Sequence, residues 1–126
     1  MIYLDVDDLL HIGERALGGV PMVRDLGLLE AACARPKASY AGAELYPTLP
    51  AKAAALVHSI AKNHALVDGN KRLATTALIV FLGVNGFDLT FDNHELYEFA
   101  LAVASGAIDD VEAIATVLET HLRPRR

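Results

Sequence analysis

Nine consecutive residues hold the most chemically suggestive set in this chain: His64-Ala65-Leu66-Val67-Asp68-Gly69-Asn70-Lys71-Arg72. Gly69 permits a tight turn whose consecutive backbone N–H groups face outward. A helix opening near Asn70 adds its unpaired first-turn N–H groups and the positive end of its dipole. Lys71 and Arg72 bring two cations to the same place, which makes an anion site suited to phosphate. His64 closes the preceding helix and faces that site across the turn. An imidazole titrates near ~6.5, so it can take a proton at neutral pH. Asp68 can hold Mg²⁺ against phosphate oxygens, since magnesium is usually bound by one or two carboxylates plus substrate phosphates. Base, metal carboxylate, N–H cradle and paired cations are the parts of phosphoryl or nucleotidyl transfer.

Taken singly, each part has a structural explanation: Asp-Gly-Asn makes a good turn, Asn caps helices, and Lys-Arg is often a solvated face. That explanation leaves two points open. A histidine continues the apolar stripe Leu56–Ile60–His64, and two positive charges sit at a helix start, where the dipole disfavours cations unless an anion is bound.

The elements that position this run follow from hydrophobic period and breakers. Leu4, Leu9, Ile12, Ala16 and Leu17 recur at helical spacing up to Gly18-Gly19. Asp25 caps a short helix through Leu28, Leu29, Ala32 and Cys33, which Pro36 ends. Lys37–Leu49 is irregular. With Pro50 at its first position, a helix over Ala51 to about Ala65 carries Ala53, Leu56, Val57, Ile60 and His64 on one stripe. Asn70 caps the next, Lys71–Asn85, which is apolar nearly all round and so is expected to be the buried central helix. Phe87–Phe91 alternates as one short strand or an extended connection. Asp92 or Asn93 opens a helix that Gly106 ends. Asp109 caps a last one through Val111, Ile114, Val117, Leu118 and His121, and the tail Arg123–Arg126 frays. The expectation is a single all-α domain over residues 1–126, a compact bundle of about six helices.

Composition narrows the function classes. Eleven Lys+Arg against 16 Asp+Glu give a net charge of −5, a poor balance for neutralising nucleic-acid phosphates. With 53% hydrophobic residues the chain can build a core, which excludes disorder. Cys33 is the only thiol, so no internal disulfide forms. The N-terminus carries Asp5, Asp7 and Asp8 where a signal peptide is apolar, and the longest apolar stretch, Ala77–Val84, is far short of the ~20 residues of a membrane span. The expected protein is soluble and cytoplasmic, without direct nucleic-acid or membrane contact.

The run HALVDGNKRLA resembles the signature His-x-Phe-x-Asp/Asn-Ala/Gly-Asn-Lys-Arg of the Doc (death-on-curing) toxins, a branch of the Fic superfamily. The resemblance extends through Gly18-Gly19-Val20-Pro21, Arg24-Asp25-Leu26-Gly27-Leu28-Leu29-Glu30 and Phe81-Leu82-Gly83-Val84-Asn85-Gly86. Leu66 stands where the family usually has Phe. Fic proteins that transfer AMP typically read Gly-Asn-Gly-Arg followed three residues later by a second Arg; here Lys71 replaces the second glycine and Thr75 that Arg, both Doc-like. The resemblance implies transfer of the γ-phosphate of ATP, with Mg²⁺, to a threonine of elongation factor Tu. It gives His64 the role of general base. Asp68 would hold the metal or orient the acceptor. Gly69, Asn70, Lys71 and Arg72 would form the anion cradle, with Lys71 and Arg72 stabilising charge. It also implies restraint by a Phd-like antitoxin. AMP transfer on the same fold and a catalytically idle nucleotide- or partner-binding module are the alternatives.

The remaining candidates are weaker. His11, His58, His94 and His121 lack the paired spacing of a zinc site. Cys33 sits among alanines as a buried inert thiol, and Ser39, Ser59 and Ser105 lie in no nucleophile-elbow pattern. Lys37–Leu49 corresponds by resemblance to the flap with which Fic proteins align an acceptor segment. Gly18–Asp25 can line the nucleotide side of a cleft or serve structure alone, and Arg24 is its member to test. None of the seven glutamates is followed by Gly or Asn, so the inhibitory Ser/Thr-x-x-x-Glu-Gly/Asn pattern of many Fic proteins is absent.

Overall fold

Side-chain caps set where most helices begin. In a computed structural model, which describes residues 1–126, α1 spans Val6–Leu17 behind Asp5, whose carboxylate accepts from the Asp8 N–H while Asp8 accepts from the Asp5 N–H. Asp25 caps α2 (Leu26–Ala34), Thr48 caps α3 (Leu49–Asn63), and Asp92 caps α5 (Asn93–Ser105) in a second reciprocal box with Glu95. Asp110 caps α6 (Val111–Glu119). Between α3 and α5 lies α4 (Asn70–Val84), the exception, whose N-cap Gly69 has no side chain to offer. Two small antiparallel ribbons complete the order: β1 (Ser39–Tyr40) with β2 (Ala43–Glu44), and β3 (Phe87–Leu89) with β4 (Leu122–Pro124). Six α-helices with these minor ribbons make the fold all-α.

Several expectations are corrected. The buried centre is α3, not α4. Lys52–Val57, Ser59, Ile60 and Ala61 are all buried on α3, whereas α4 leaves Ile79 and Val84 more than 40% exposed. Side-chain apolarity alone misjudges this, because Ala53, Ala54, Ala55 and Ala61 contribute little hydrophobicity yet let α2, α4, α5 and α6 approach α3 from different sides. Helix α3 also ends at Asn63, so His64 leaves the apolar stripe. Pro36 does not stop α2 outright; it is buried in a 3₁₀ turn, Arg35–Lys37, that continues it, since a proline needs no N–H partner in a first turn. The segment Lys37–Leu49 contains the β1–β2 hairpin, whose two-residue turn Ala41–Gly42 takes φ of 53° and 83°, the positive values a type I′ turn requires. Asp110 rather than Asp109 caps α6, and His121 lies in the turn beyond it. The tail is not frayed: Leu122–Pro124 pairs with Phe87–Leu89, and Arg125 bonds Asp88 at 3.0 Å and the Gly86 carbonyl at 2.8 Å.

One polar cluster ties the 3₁₀ turn to α3. Arg35 donates to Tyr46 Oη (3.1 Å), Ser59 Oγ (3.0 Å) and His58 Nδ1 (2.8 Å). A guanidinium only donates, so Nδ1 accepts and the neutral ring carries its proton on Nε2. That Nε2 is buried without a hydrogen bond, 3.9 Å from the exposed Asp109 carboxylate. Burial first, then the Arg35 charge, hold the His58 pKa below the ordinary 6.5; Asp109 opposes them without cancelling the shift. A folded-state pKa below the unfolded one means the unfolded chain binds the proton more readily. Stability from this site is therefore present above about pH 6.5 and declines as pH falls through the folded value. His58→Gln, which still accepts from Arg35, is expected to flatten the loss of urea midpoint between pH 7.5 and 5.5 relative to wild type. Parallel slopes in the two proteins would remove His58 as the source.

Candidate active site

The turn between α3 and α4 begins at a residue in an uncommon conformation. His64 takes φ 52° and ψ 50°, left-handed without being glycine, which costs on the order of 1 kcal/mol. The chain reverses there, leaving His64 exposed while Ala65 and Leu66 go under, 3% and 1% exposed. Leu66 is the anchor: Asn70 Oδ1 accepts from its N–H (2.9 Å), Asn70 Nδ2 donates to its carbonyl (3.0 Å), and Val23 pairs with it in an antiparallel bridge. Leu66, standing where the family usually has Phe, is buried in the core, so this position still anchors the turn. Asn70 therefore does not cap α4. Its amide is spent on Leu66, and what it offers outward is its backbone N–H.

Gly69 is demanded by this geometry. Its φ is 88°, and a Cβ there would lie 2.5 and 2.9 Å from the two Leu17 methyls at the end of α1. Asp68 Oδ1 accepts from the Gly69 N–H at 2.8 Å, so that N–H is already taken and does not face outward into the expected anion cradle, while Oδ2 is left free. Of the six α-helices only α4 lacks a side-chain cap, so its first-turn N–H groups have no partner from that source.

All six residues singled out by sequence, His64, Asp68, Gly69, Asn70, Lys71 and Arg72, line one cleft of about 550 Å³. Lys71 and Arg72 are exposed, and neither they nor His64 nor Asp68 form a salt bridge. A chain of net charge −5 thus leaves two cations uncompensated at the positive end of a helix dipole, an arrangement that favours a bound anion. Asp68 is the only carboxylate in the lining, and no group of three or more His, Cys, Asp or Glu gathers anywhere. One carboxylate with a free oxygen beside a phosphate cradle fits a magnesium ion shared with phosphate oxygens rather than a caged metal.

The opposite wall was not foreseen. Asn93, Leu96, Tyr97, Ala100, Leu101 and Ala104 of α5 face the cleft at helical spacing, with Tyr97 63% exposed. The spacing is visible in the sequence, but Phe99, Ala100 and Val103 form an overlapping stripe that serves the core, and periodicity does not say which stripe meets a cavity. The Gly18–Asp25 loop does not line the cleft. It braces the turn: the Arg24 and Asp25 N–H groups donate to the Ala65 carbonyl (2.8 and 3.0 Å) and the Val67 N–H to the Met22 carbonyl (2.9 Å). The β1–β2 hairpin contributes no residue to the lining either. Cys33 is buried, which pushes its thiol up to about 11, an inert group.

Gly69→Ala is expected to lower stability by about 1–2 kcal/mol from the left-handed strain. Asn70→Ala, which orphans the Leu66 N–H and carbonyl, is expected to lose about 1–3 kcal/mol. Chemical denaturation measures both, and unchanged midpoints would show that the turn is held by other contacts.

A family model described as the Fic/DOC family matches residues 3–82. Toxin Doc of Mycolicibacterium smegmatis is 56% identical over 90 residues, covering 71% of this chain and 69% of that protein. Protein kinase doc of Escherichia phage P1 is 35% identical over 101 residues, covering 80% and 78%. The chain belongs to the Fic/DOC family.

Proposed function

We propose that residues 1–126 form one Fic/Doc domain that is the toxin of a toxin–antitoxin pair, a protein kinase that uses ATP and Mg²⁺ in the cytoplasm. Its product is a phosphorylated threonine or serine on a translation factor, with elongation factor Tu as the target through the family resemblance, and its restraint is a Phd-like antitoxin. The observation that carries this reading is the opening of His64, Asp68, Lys71 and Arg72 onto one cleft beside an uncapped helix start. The relatives add support: one is named a toxin and the other a protein kinase. No helix is long and apolar enough to cross a membrane.

The roles follow from position. The His64 imidazole accepts the proton of the acceptor hydroxyl as that hydroxyl's oxygen bonds the γ-phosphorus. The bond from that phosphorus to the β-bridging oxygen breaks, ADP leaves, and the proton rests on His64. The N–H groups at the start of α4, with Lys71 and Arg72, stabilise charge on the transferred group. Asp68 would hold Mg²⁺, which supplies charge neutralisation at the phosphate oxygens.

The exposed Lys71 side chain, where AMP-transferring relatives of the resemblance carry glycine, occupies space a diphosphate takes in the glycine version. It therefore favours transfer from the γ end. Incubating purified protein and elongation factor Tu with ATP labelled separately at the α- and γ-phosphates tests this. Label from the γ position alone is expected, and label from the α position would assign AMP transfer instead. His64→Ala is expected to reduce transfer by about 10²–10⁴-fold. Undiminished labelling and growth arrest in that variant would eliminate His64 as the base.

A further inference from the structure

We propose that Arg24 is a positioning residue for His64, holding from outside the left-handed peptide that presents the imidazole to the cleft. Helices α1 and α5 end in Gly18 and Gly106, whose N–H groups bond back to the Glu14 and Val103 carbonyls. Helix α3 ends in His64 instead, with no such return bond. Its last carbonyls are taken by a side chain from 40 residues away: Arg24 Nε donates to the His64 carbonyl at 2.9 Å, and one Nη donates to the same oxygen and to the Asn63 carbonyl (3.4 Å).

Three physical points make this more than a surface contact. The guanidinium is cationic and meets the negative end of the α3 dipole, so its bonds are charge-assisted. Arg24 is exposed yet forms no ion pair, so its bonded donors are those given to these two carbonyls. And the peptide it grips follows the Cα of a residue in the left-handed region, where a non-glycine residue stays only when its surroundings over-determine it. Released, His64 relaxes toward ordinary helical angles and its side chain swings off the cleft. A 1 Å misplacement of a reacting group costs about 10²-fold in rate.

The kinetic part of this inference rests on the phosphotransfer reading; the conformational part does not. Arg24→Gln is expected to lower kcat by about 10- to 100-fold with KM for ATP unchanged. Arg24→Lys, which keeps the charge but not the two-pronged donor, is expected to recover part of the loss. Combined with His64→Ala, Arg24→Gln should add no further loss. In parallel, the backbone chemical shifts of His64 and Ala65 should move in Arg24→Gln while those of α6 stay in place. A raised KM at constant kcat, or a further loss on top of His64→Ala, would overturn the assignment, as would unmoved His64 shifts. If the wild-type chain transfers no phosphate, the reading of the cleft fails and the shifts alone decide: movement at His64 upholds the role of Arg24 and its absence refutes it. Should Arg24→Gln unfold, Arg24→Lys carries the same measurements.

Discussion

The polar wall of the cleft depends on how two helices are joined by six residues, His64–Gly69. The join is gripped from both sides. From α4, the Asn70 amide closes a two-way hydrogen bond onto the Leu66 backbone; from the loop before α2, Met22–Asp25 lies against Ala65–Val67 as a short antiparallel partner. Flanking these grips are two left-handed residues, His64 and Gly69, one at each end of the join. Burial of Leu66 ties the arrangement to the core, a side-chain transfer worth roughly 1.5–3 kcal/mol. With the backbone so constrained, the His64, Lys71 and Arg72 side chains stay exposed and outside any salt bridge.

The charge distribution follows the same logic. The chain is acidic overall, and its acidic side chains are used repeatedly as helix caps: Asp5, Asp25, Asp92 and Asp110 each sit at a positive helix end. At α4 the cap is withheld and two cations are added. The electrostatic preference met by an aspartate at four of the other helix starts, and by the Thr48 hydroxyl cap at α3, is left open at this one.

The part of this legible in the sequence was the part set by local chemistry. The Asp25 cap, the stop glycines and the Gly69 turn are short-range effects, and so were the six helices and the grouping of His64 through Arg72, whereas the last cap was placed one residue early, at Asp109 instead of Asp110. What escaped depended on long-range packing. The burial rank of α3 over α4 arises from alanines whose value is close approach. The Asn70 side chain could cap or clamp, and the choice is made by Leu66 being pulled into the core. The pairing of Arg123 with Asp88 across β3 and β4 joins segments more than thirty residues apart. The α5 wall shares its helix with a core face, so no single periodicity isolates it.

Both ends of the described chain converge on the far end of α4. Ile2 is bonded through its N–H and carbonyl to the Asn85 side chain, and Arg125 to the Gly86 carbonyl. With 15 residues α4 is about 22 Å long, so the termini and the cleft occupy opposite poles of one rigid rod. A tether attached near Ile2 or Arg125 would be carried away from the cleft.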